Sequence, residues 1–331
     1  MSLFSWLYGS MIAARNGAFD NGWKKICRLK HPVVSVGNLS VGGSGKTPFL
    51  LMLGKLLQER GVAFDILSRG YGRNDSRIRL VDEKGSAELY GDEPLLLAQK
   101  LHVPVIVGPD RYQAGVFAEQ MFAEVKPAHG MWMHLLDDGF QHRQLARDFD
   151  IVIVRPEDAK EELLPAGYLR ESLASLKRAD AIVLTEGATT EGLSIEKQHV
   201  WRVTRRIELD TSQPDFPKKP FVLCSIARPE RFVNDLRAKG IEVVGQAIYP
   251  DHYQFGATDI RAICEQVRKC QADGILTTEK DAMRLAPFRV TLEESARLIP
   301  VPLVMELVDP KHALDVVLGT VAERLKCHPV E

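Results

Sequence analysis

The sequence predicts an α/β fold, with a mostly parallel sheet covered on both faces and a second, smaller α/β domain. Three observations carry this. Short, nearly continuous apolar runs alternate with segments of helical spacing, the pattern of parallel strands buried on both sides. The alternation pauses over residues 186–220, which are polar and include Pro214, Pro217 and Pro220, and then restarts. The chain has 331 residues, a length that suits about two domains.

In chain order, residues 33–36, 64–68, 103–107, 131–136, 151–154 and 181–184 read as strands of the first sheet. Residues 48–60 and 112–124 have helical spacing between them. The restart comprises residues 221–226, 231–239, 241–248, 260–269 and 274–277. Residues 200–209 and 300–307 are expected to pair as a two-strand linker, which returns a last helix at 312–325 to the first domain. The predicted division is therefore an N-terminal helix and basic segment at 1–30, a core at 31–199 plus 308–331, the linker, and a smaller domain at 210–299.

Composition narrows the class. Lys plus Arg number 43 and Asp plus Glu 44, a net charge of −1, with 45% hydrophobic and 26% charged residues. These values belong to a globular chain and exclude disorder, collagen repeats and a polytopic membrane protein. Near-neutrality also speaks against a globally basic nucleic-acid binder. The five cysteines show no C-x-x-C spacing, so neither a disulfide framework nor a zinc site is indicated, and a reducing cytoplasm fits.

The neutrality hides an asymmetry. Residues 1–14 carry no charge and include Leu3, Phe4, Trp6, Leu7, Tyr8, Met11 and Ile12, while Ser2, Ser5 and Gly9 share one helical face. Arg15, Lys24, Lys25, Arg28 and Lys30 then stand against Asp20 alone, a local +4 that leaves −5 on the rest. The apolar stretch is too short to span a bilayer. Two readings stand side by side: an interfacial helix docking on anionic lipid, or a core-packing first helix followed by a solvated basic loop.

The chemistry is concentrated after the first strand, in Ser40-Val41-Gly42-Gly43-Ser44-Gly45-Lys46-Thr47. Glycines let backbone N–H groups turn toward phosphate oxygens, the Lys reaches the β- and γ-phosphates, and the Thr hydroxyl suits Mg²⁺. The motif places the core among P-loop NTPases, with Ser40 replacing the customary first glycine. Asp137 and Asp138, after the 131–136 strand, suit a Walker-B position, because a bound cation relieves the repulsion between paired carboxylates. The bland reading is an exposed Asp-Asp-Gly turn. Phosphoryl transfer to a hydroxyl also needs a positioned base, for which Asp92 in Gly91-Asp92-Glu93-Pro94 and His252 are candidates. Asp92 also reads as a helix start and His252 as a turn residue. Arg69, Tyr71 and Arg73, between glycines after the second strand, and Arg111 after the next, could bind an anionic group or be solvated.

Other P-loop classes fit less well. Thr278-Glu279-Lys280-Asp281 has the wrong order for a guanine-reading N/T-K-x-D motif, Val41 stands where partition ATPases carry an extra lysine, and a metallochaperone's Cys or His cluster is missing. Taken together, Val36-Gly37-Asn38-Leu39 running into Gly42–Pro48, with residues 68–72, 91–94, 137–141, Leu164-Pro165-Ala166-Gly167, Asp251-His252 and 278–281, resembles the tetraacyldisaccharide 4′-kinases, or lipid A 4′-kinases. These landmarks span about residues 30 to 285 in the family's order. The resemblance implies ATP- and Mg²⁺-dependent phosphorylation of the 4′-hydroxyl of a tetraacyldisaccharide 1-phosphate. It also implies a peripheral enzyme on the cytoplasmic face of a Gram-negative inner membrane. No obligate protein partner is predicted. Carried over, Lys46 would stabilise the transferring group and Thr47, Asp137 and Asp138 would hold Mg²⁺. Asp92 would be the base, His252 its partner from the second domain, and Arg69, Tyr71, Arg73 and Arg111 would meet the sugar and its 1-phosphate. A soluble small-molecule kinase and a nucleotide-driven switch or metallochaperone-type NTPase are the rival functions.

Overall fold

The computed structural model describes residues 3–125 and 131–327, so Ser2 and residues 328–331 of the expected core lie outside it. The chain runs α1 (Leu3–Asp20), β1 (Val33–Asn38), α2 (Lys46–Glu59), β2 (Ala63–Ser68), β3 (Arg79–Leu80), α3 (Ala87–Tyr90), α4 (Asp92–Leu101), β4 (Val105–Val107) and α5 (Arg111–Met121). It continues with β5 (Trp132–Asp137), β6 (Phe149–Val154), β7 (Ala181–Leu184) and β8 (His199–Ile207). A second unit holds β9 (Pro220–Cys224), α6 (Pro229–Ala238), β10 (Gly245–Ile248), α7 (Ala257–Lys269), β11 (Gly274–Thr278), α8 (Glu279–Leu285), α9 (Arg289–Glu293) and β12 (Arg297–Val301). The chain returns through β13 (Leu303–Leu307) and α10 (Pro310–Cys327).

Among the described residues, nine strands form one sheet in the order β13-β8-β7-β6-β1-β5-β2-β4-β3, parallel except at its two edges, where β13 and β3 run antiparallel to their neighbours. Every residue of β1, β6 and β7 is buried, which explains their largely apolar character, broken only by buried Ser35, Asn38 and Asp150. Phe49, Leu50, Leu53 and Leu57 of α2 pack on one face. Four parallel strands, β10-β9-β11-β12, form the second sheet. In such sheets ligands collect beyond the carboxyl ends of the strands, and the chain's motifs lie there.

Several boundaries differ from the sequence pattern for local reasons. β4 starts at Val105 rather than 103, because Pro104 has no N–H to give and uses only its carbonyl, which accepts from Ile66. α2 starts at Lys46, with Pro48 in the first turn, where a missing N–H is harmless. The run at 241–248 yields a strand only from Gly245, since the Ile241 N–H is taken by the carbonyl of Leu236 at the end of α6. Val301 belongs to β12, Pro302 breaks the chain, and the returning strand is 303–307. Leu303 to Leu307 face Ile207 to Val203, but β8 also pairs in parallel with β7, so both connecting strands extend the large sheet.

α1 lies on its small-residue face. Ser5 is fully buried, its hydroxyl donating to the Leu163 carbonyl, and Gly9 lets the helix approach the Leu163 side chain. The apolar side is left outside: Leu3 and Phe4 are 70% exposed, and Trp6, Leu7 and Met11 more than half. This overturns the core-packing reading of the first helix. Among the described residues no helix is long and apolar enough to cross a membrane.

Candidate active site

β1 delivers the phosphate-loop sequence between β5 and β6, the centre of the large sheet. Gly42, Gly43 and Gly45 all have positive φ, at 77°, 28° and 88°, which explains the glycines. A Cβ on Gly45 would also collide with the Met305 methyl of β13. Ser40 sits at a position with no positive φ, buried behind the loop. Its hydroxyl accepts from Arg155 Nη2 at 2.7 Å, and Arg155 also reaches the Gly42 carbonyl at 3.3 Å. The missing first glycine is thus replaced by a tether. Lys46, at the first turn of α2, donates to Asn38 Oδ1 at 2.9 Å and stands 3.3 Å from Asp138 Oδ1. Thr47 beside it is buried.

Asp137 ends β5 opposite Val36, at the mouth of the loop. Its Oδ2 accepts from Ser68 Oγ at 2.8 Å, and its Oδ1 is buried without a hydrogen-bond partner. Burial, with the neighbouring Glu93 and Asp138 carboxylates, pushes Asp137 up to about 7. Asp138 adopts φ 51° and faces Lys46 and Arg170, the latter at 2.8 Å. Burial raises its pKa too, but these two cations outweigh it and hold the carboxyl below its usual range.

The second unit comes down over this loop. Ala227, between β9 and α6, stands against Gly42 and Gly43. Asp92 is the first residue of α4, after Gly91 at φ 90°, and its Oδ2 lies 3.3 Å from His252 Nδ1. His252 sits in the turn after β10 with φ 57°. Arg284 of α8 binds the same Asp92 oxygen and stands 3.2 Å from the same imidazole nitrogen. Burial opposes ionisation of Asp92, yet His252, Arg284 and Lys280 together keep it below the ordinary carboxylate range. The hydrogen bond to Asp92 raises His252 against its own burial. Further ion pairs join the units, among them Lys280–Glu93, Lys100–Glu279 at 2.5 Å and Arg228–Glu157 at 2.6 Å.

These groups surround a cleft of about 820 Å³ lined by residues 41–47, Tyr71, His252, Lys280 and Arg284, and extending to Ile207, Leu303 and Met305 of the connecting strands. A smaller cavity of about 340 Å³ is lined by Arg69, Arg111, Asp138, His142 and Arg170, and Arg170 borders both. Burial and the Arg111 charge push His142 down to about 4, so it is a neutral imidazole there. The fold brings together Lys46 with Asp138 and Asp92 with His252. It puts Arg69 and Arg111 at the smaller cavity and Tyr71 at the cleft, its ring 5.0 Å from that of His252. Arg73 lines neither cavity; it packs back on Gly70.

Sequence reasoning passed over Asn38, Arg155, Arg170, Glu93, Lys280 and Arg284. Asn38, Glu93 and Lys280 lie inside quoted motifs, and Arg284 follows Asp281 by three residues, on one helical face. Arg155 and Arg170 gave no local signal.

The family described as tetraacyldisaccharide-1-P 4′-kinase matches residues 1–322. A tetraacyldisaccharide 4′-kinase of Koribacter versatilis is 46% identical, covering 98% of this chain and 99% of that protein. One from Aquifex aeolicus is 37% identical over 89% and 95%. A crystal structure of LpxK from Aquifex aeolicus in complex with ATP superposes with a TM-score of 0.75 at 32% identity, covering 96% of this chain and 97% of that one.

Proposed function

This chain belongs to the tetraacyldisaccharide-1-P 4′-kinase family, and on that premise we propose how its own residues carry out the transfer. It is a phosphotransferase of lipid A biosynthesis that acts on the 4′-hydroxyl of a tetraacyldisaccharide 1-phosphate. It binds ATP in the cleft over the phosphate loop. The observation that carries the mechanism is that Asp92 and His252, from different units, meet beside that cleft, whose walls include His252 and Lys46.

In this reading the backbone amides of residues 42–46 and the Lys46 ammonium hold the β- and γ-phosphates. The acceptor oxygen attacks the γ-phosphorus, the bond from phosphorus to the β–γ bridging oxygen breaks, and its electron pair leaves with ADP. Asp92 takes the proton of the acceptor hydroxyl. A weakly basic carboxylate suffices when the transition state is loose and the proton leaves late. His252 orients Asp92 and receives the positive charge of the pair.

The residues present fit Mg²⁺. Asp137 has a buried carboxylate oxygen without a partner and a raised proton affinity, both of which a divalent cation would relieve. Among the described residues no three His, Cys, Asp or Glu are arranged to hold a metal, so substrate phosphates and water would have to complete its coordination. Thr47, Asp137 and Asp138 would hold it, and it would neutralise charge on the phosphate oxygens.

Arg69 and Arg111 receive the acceptor's sugar and 1-phosphate in the smaller cavity, next to neutral His142. Tyr71 flanks the base pair, and Arg73 shapes the turn that carries them. The exposed Leu3, Phe4, Trp6, Leu7 and Met11, followed by exposed Lys24, Lys25 and Lys30, suit docking on an anionic bilayer at the cytoplasmic face of the inner membrane.

The test is ADP release with the tetraacyldisaccharide 1-phosphate presented in anionic vesicles. Turnover should require both acceptor and Mg²⁺, and Leu7→Glu should raise the apparent KM for vesicle-bound acceptor without changing the KM for ATP. ADP release that ignores the acceptor would point to a switch instead. An unchanged KM in the Leu7 variant would remove α1 from membrane docking.

A further inference from the structure

The segment at 278–281 matches the family pattern, yet it contributes no reacting atom to the mechanism above. Its contacts explain it through a residue one turn later. Thr278 caps α8: its Oγ1 accepts from the Asp281 N–H at 3.1 Å and donates to Asp281 Oδ2 at 2.7 Å. Asp281, fully buried, also accepts from the Ser225 N–H and hydroxyl at the end of β9. The two residues together grip one side of the Arg284 guanidinium. Nη2 donates to Asp281 Oδ1 at 2.5 Å, and to the Ser225 carbonyl and hydroxyl at 3.0 Å each. The free side, Nη1, is thereby aimed at Asp92 Oδ2 and His252 Nδ1. The Arg284 side chain is 4% exposed, as is that of Asp92.

Donor counting gives this geometry a meaning. A guanidinium can only donate, so its contact with His252 Nδ1 requires that nitrogen to accept. The 3.3 Å contact of the same nitrogen with Asp92 requires it to donate. One nitrogen cannot do both at once. Asp92 therefore has one constant cationic partner, the guanidinium, and a second partner, His252, that bonds it only while Nδ1 carries a proton.

We propose that Arg284 is a positioning residue for the Asp92–His252 pair. It fixes the carboxylate whenever the imidazole is neutral and, through Asp281 and Ser225, ties that alignment to the second unit closing on the core. The residue acts through Asp92 and touches no substrate, and its role rests on Asp92 being the base. It also gives Thr278 and Asp281 their function, which is to aim the guanidinium.

The experiment compares Arg284→Lys, Arg284→Met and Asp92→Asn by kcat, KM for ATP and the pH profile of kcat. Arg284→Met should lower kcat roughly 10- to 100-fold, as misplacement of a reacting group does, with KM for ATP within about twofold. Removing a cation beside Asp92 should also move the acid limb of the profile up by about one pH unit. The other charges facing the pair, Lys280, Glu93 and Asp251, stay in place. Arg284→Lys should restore the limb and part of kcat. A scaled but unshifted profile in both Arg284 variants, with Asp92→Asn inactive, overturns the positioning role alone. An active Asp92→Asn overturns the base assignment and the positioning role with it. Should Arg284→Met fail to fold, Ser225→Ala loosens Nη2 while both charges remain. A lower kcat at unchanged KM for ATP supports the proposal there, and an unchanged kcat overturns it.

Discussion

Two histidine–aspartate pairs of this molecule invite comparison, His134–Asp65 inside the sheet and His252–Asp92 at the cleft. His134 and Asp65 face each other in register on β5 and β2, with His134 Nδ1 at 2.8 Å and 3.0 Å from the two carboxylate oxygens. Both side chains are fully buried, Trp132 Nε1 donates to Asp65, and Glu119 of α5 stands 3.5 Å from the other ring nitrogen. His252 and Asp92 are the same two groups at 3.3 Å, but one comes from each unit, and His252 is about a quarter exposed at the cleft. The first pair lies near the starts of two parallel strands whose far ends carry Ser68 and Asp137. The difference is in the lodging. A pair sealed between adjacent strands can only hold the sheet, whereas a pair assembled across two units and open to a cavity can exchange a proton with a bound hydroxyl.

The largest separation of the two should be kinetic. Asp92→Asn and His252→Ala should each lower kcat by about 10² to 10⁴, the usual weight of general acid–base groups, with KM for ATP little changed. Near-normal turnover in both would dissolve the distinction. His134→Gln should leave the turnover of folded enzyme within about twofold. It should instead cost stability, about 3 kcal/mol or more, because it strips a buried carboxylate of its cation. Denaturant melts beside active-site titration check this, and a kcat loss without a stability loss would give His134 a catalytic part.

The pairs also differ in how far the sequence disclosed them. The phosphate loop was legible because its chemistry lies in eight consecutive residues, and strands were legible because burial on both faces demands unbroken apolar runs. Asp92 and His252 could be named as candidates through their motifs. What brings them together could not be read, since Arg284 reaches Asp92 across 192 positions of sequence. His134 and Asp65 were invisible for the opposite reason. Each is a single polar residue inside an apolar run, and only the β2–β5 register sets them opposite one another. The amphipathic character of α1 was legible too, but the side that packs is the one where Ser5 and Gly9 permit close approach.

The sealed pair also carries a pH signature in stability. Burial lowers the proton affinity of His134, but Asp65 and Glu119 more than reverse this and push it up to about 9 from 6.5. A histidine with a raised folded pKa stabilises fully below its unfolded value and loses that contribution as pH rises through the folded one. Stability should therefore fall by about 3 kcal/mol in all between pH 6.5 and 9. His134→Gln should melt without that slope, and an equal slope in both proteins would assign it elsewhere.

The smallest effect should come from the rim of the cleft pair. Lys100–Glu279 joins α4 to α8 beside the buried Asp92–Arg284 contact, but the Lys100 side chain is 44% exposed. Exposed ion pairs are worth about 0.2–1 kcal/mol and are screened by salt. Lys100→Ala should therefore lower kcat/KM only about twofold at low salt, an effect that disappears near 1 M NaCl. A tenfold, salt-insensitive loss would mean that closure hangs on the rim. If the loss is small and salt-sensitive, the work of joining the two units falls to less exposed contacts, above all the buried one where Arg284 meets Asp92.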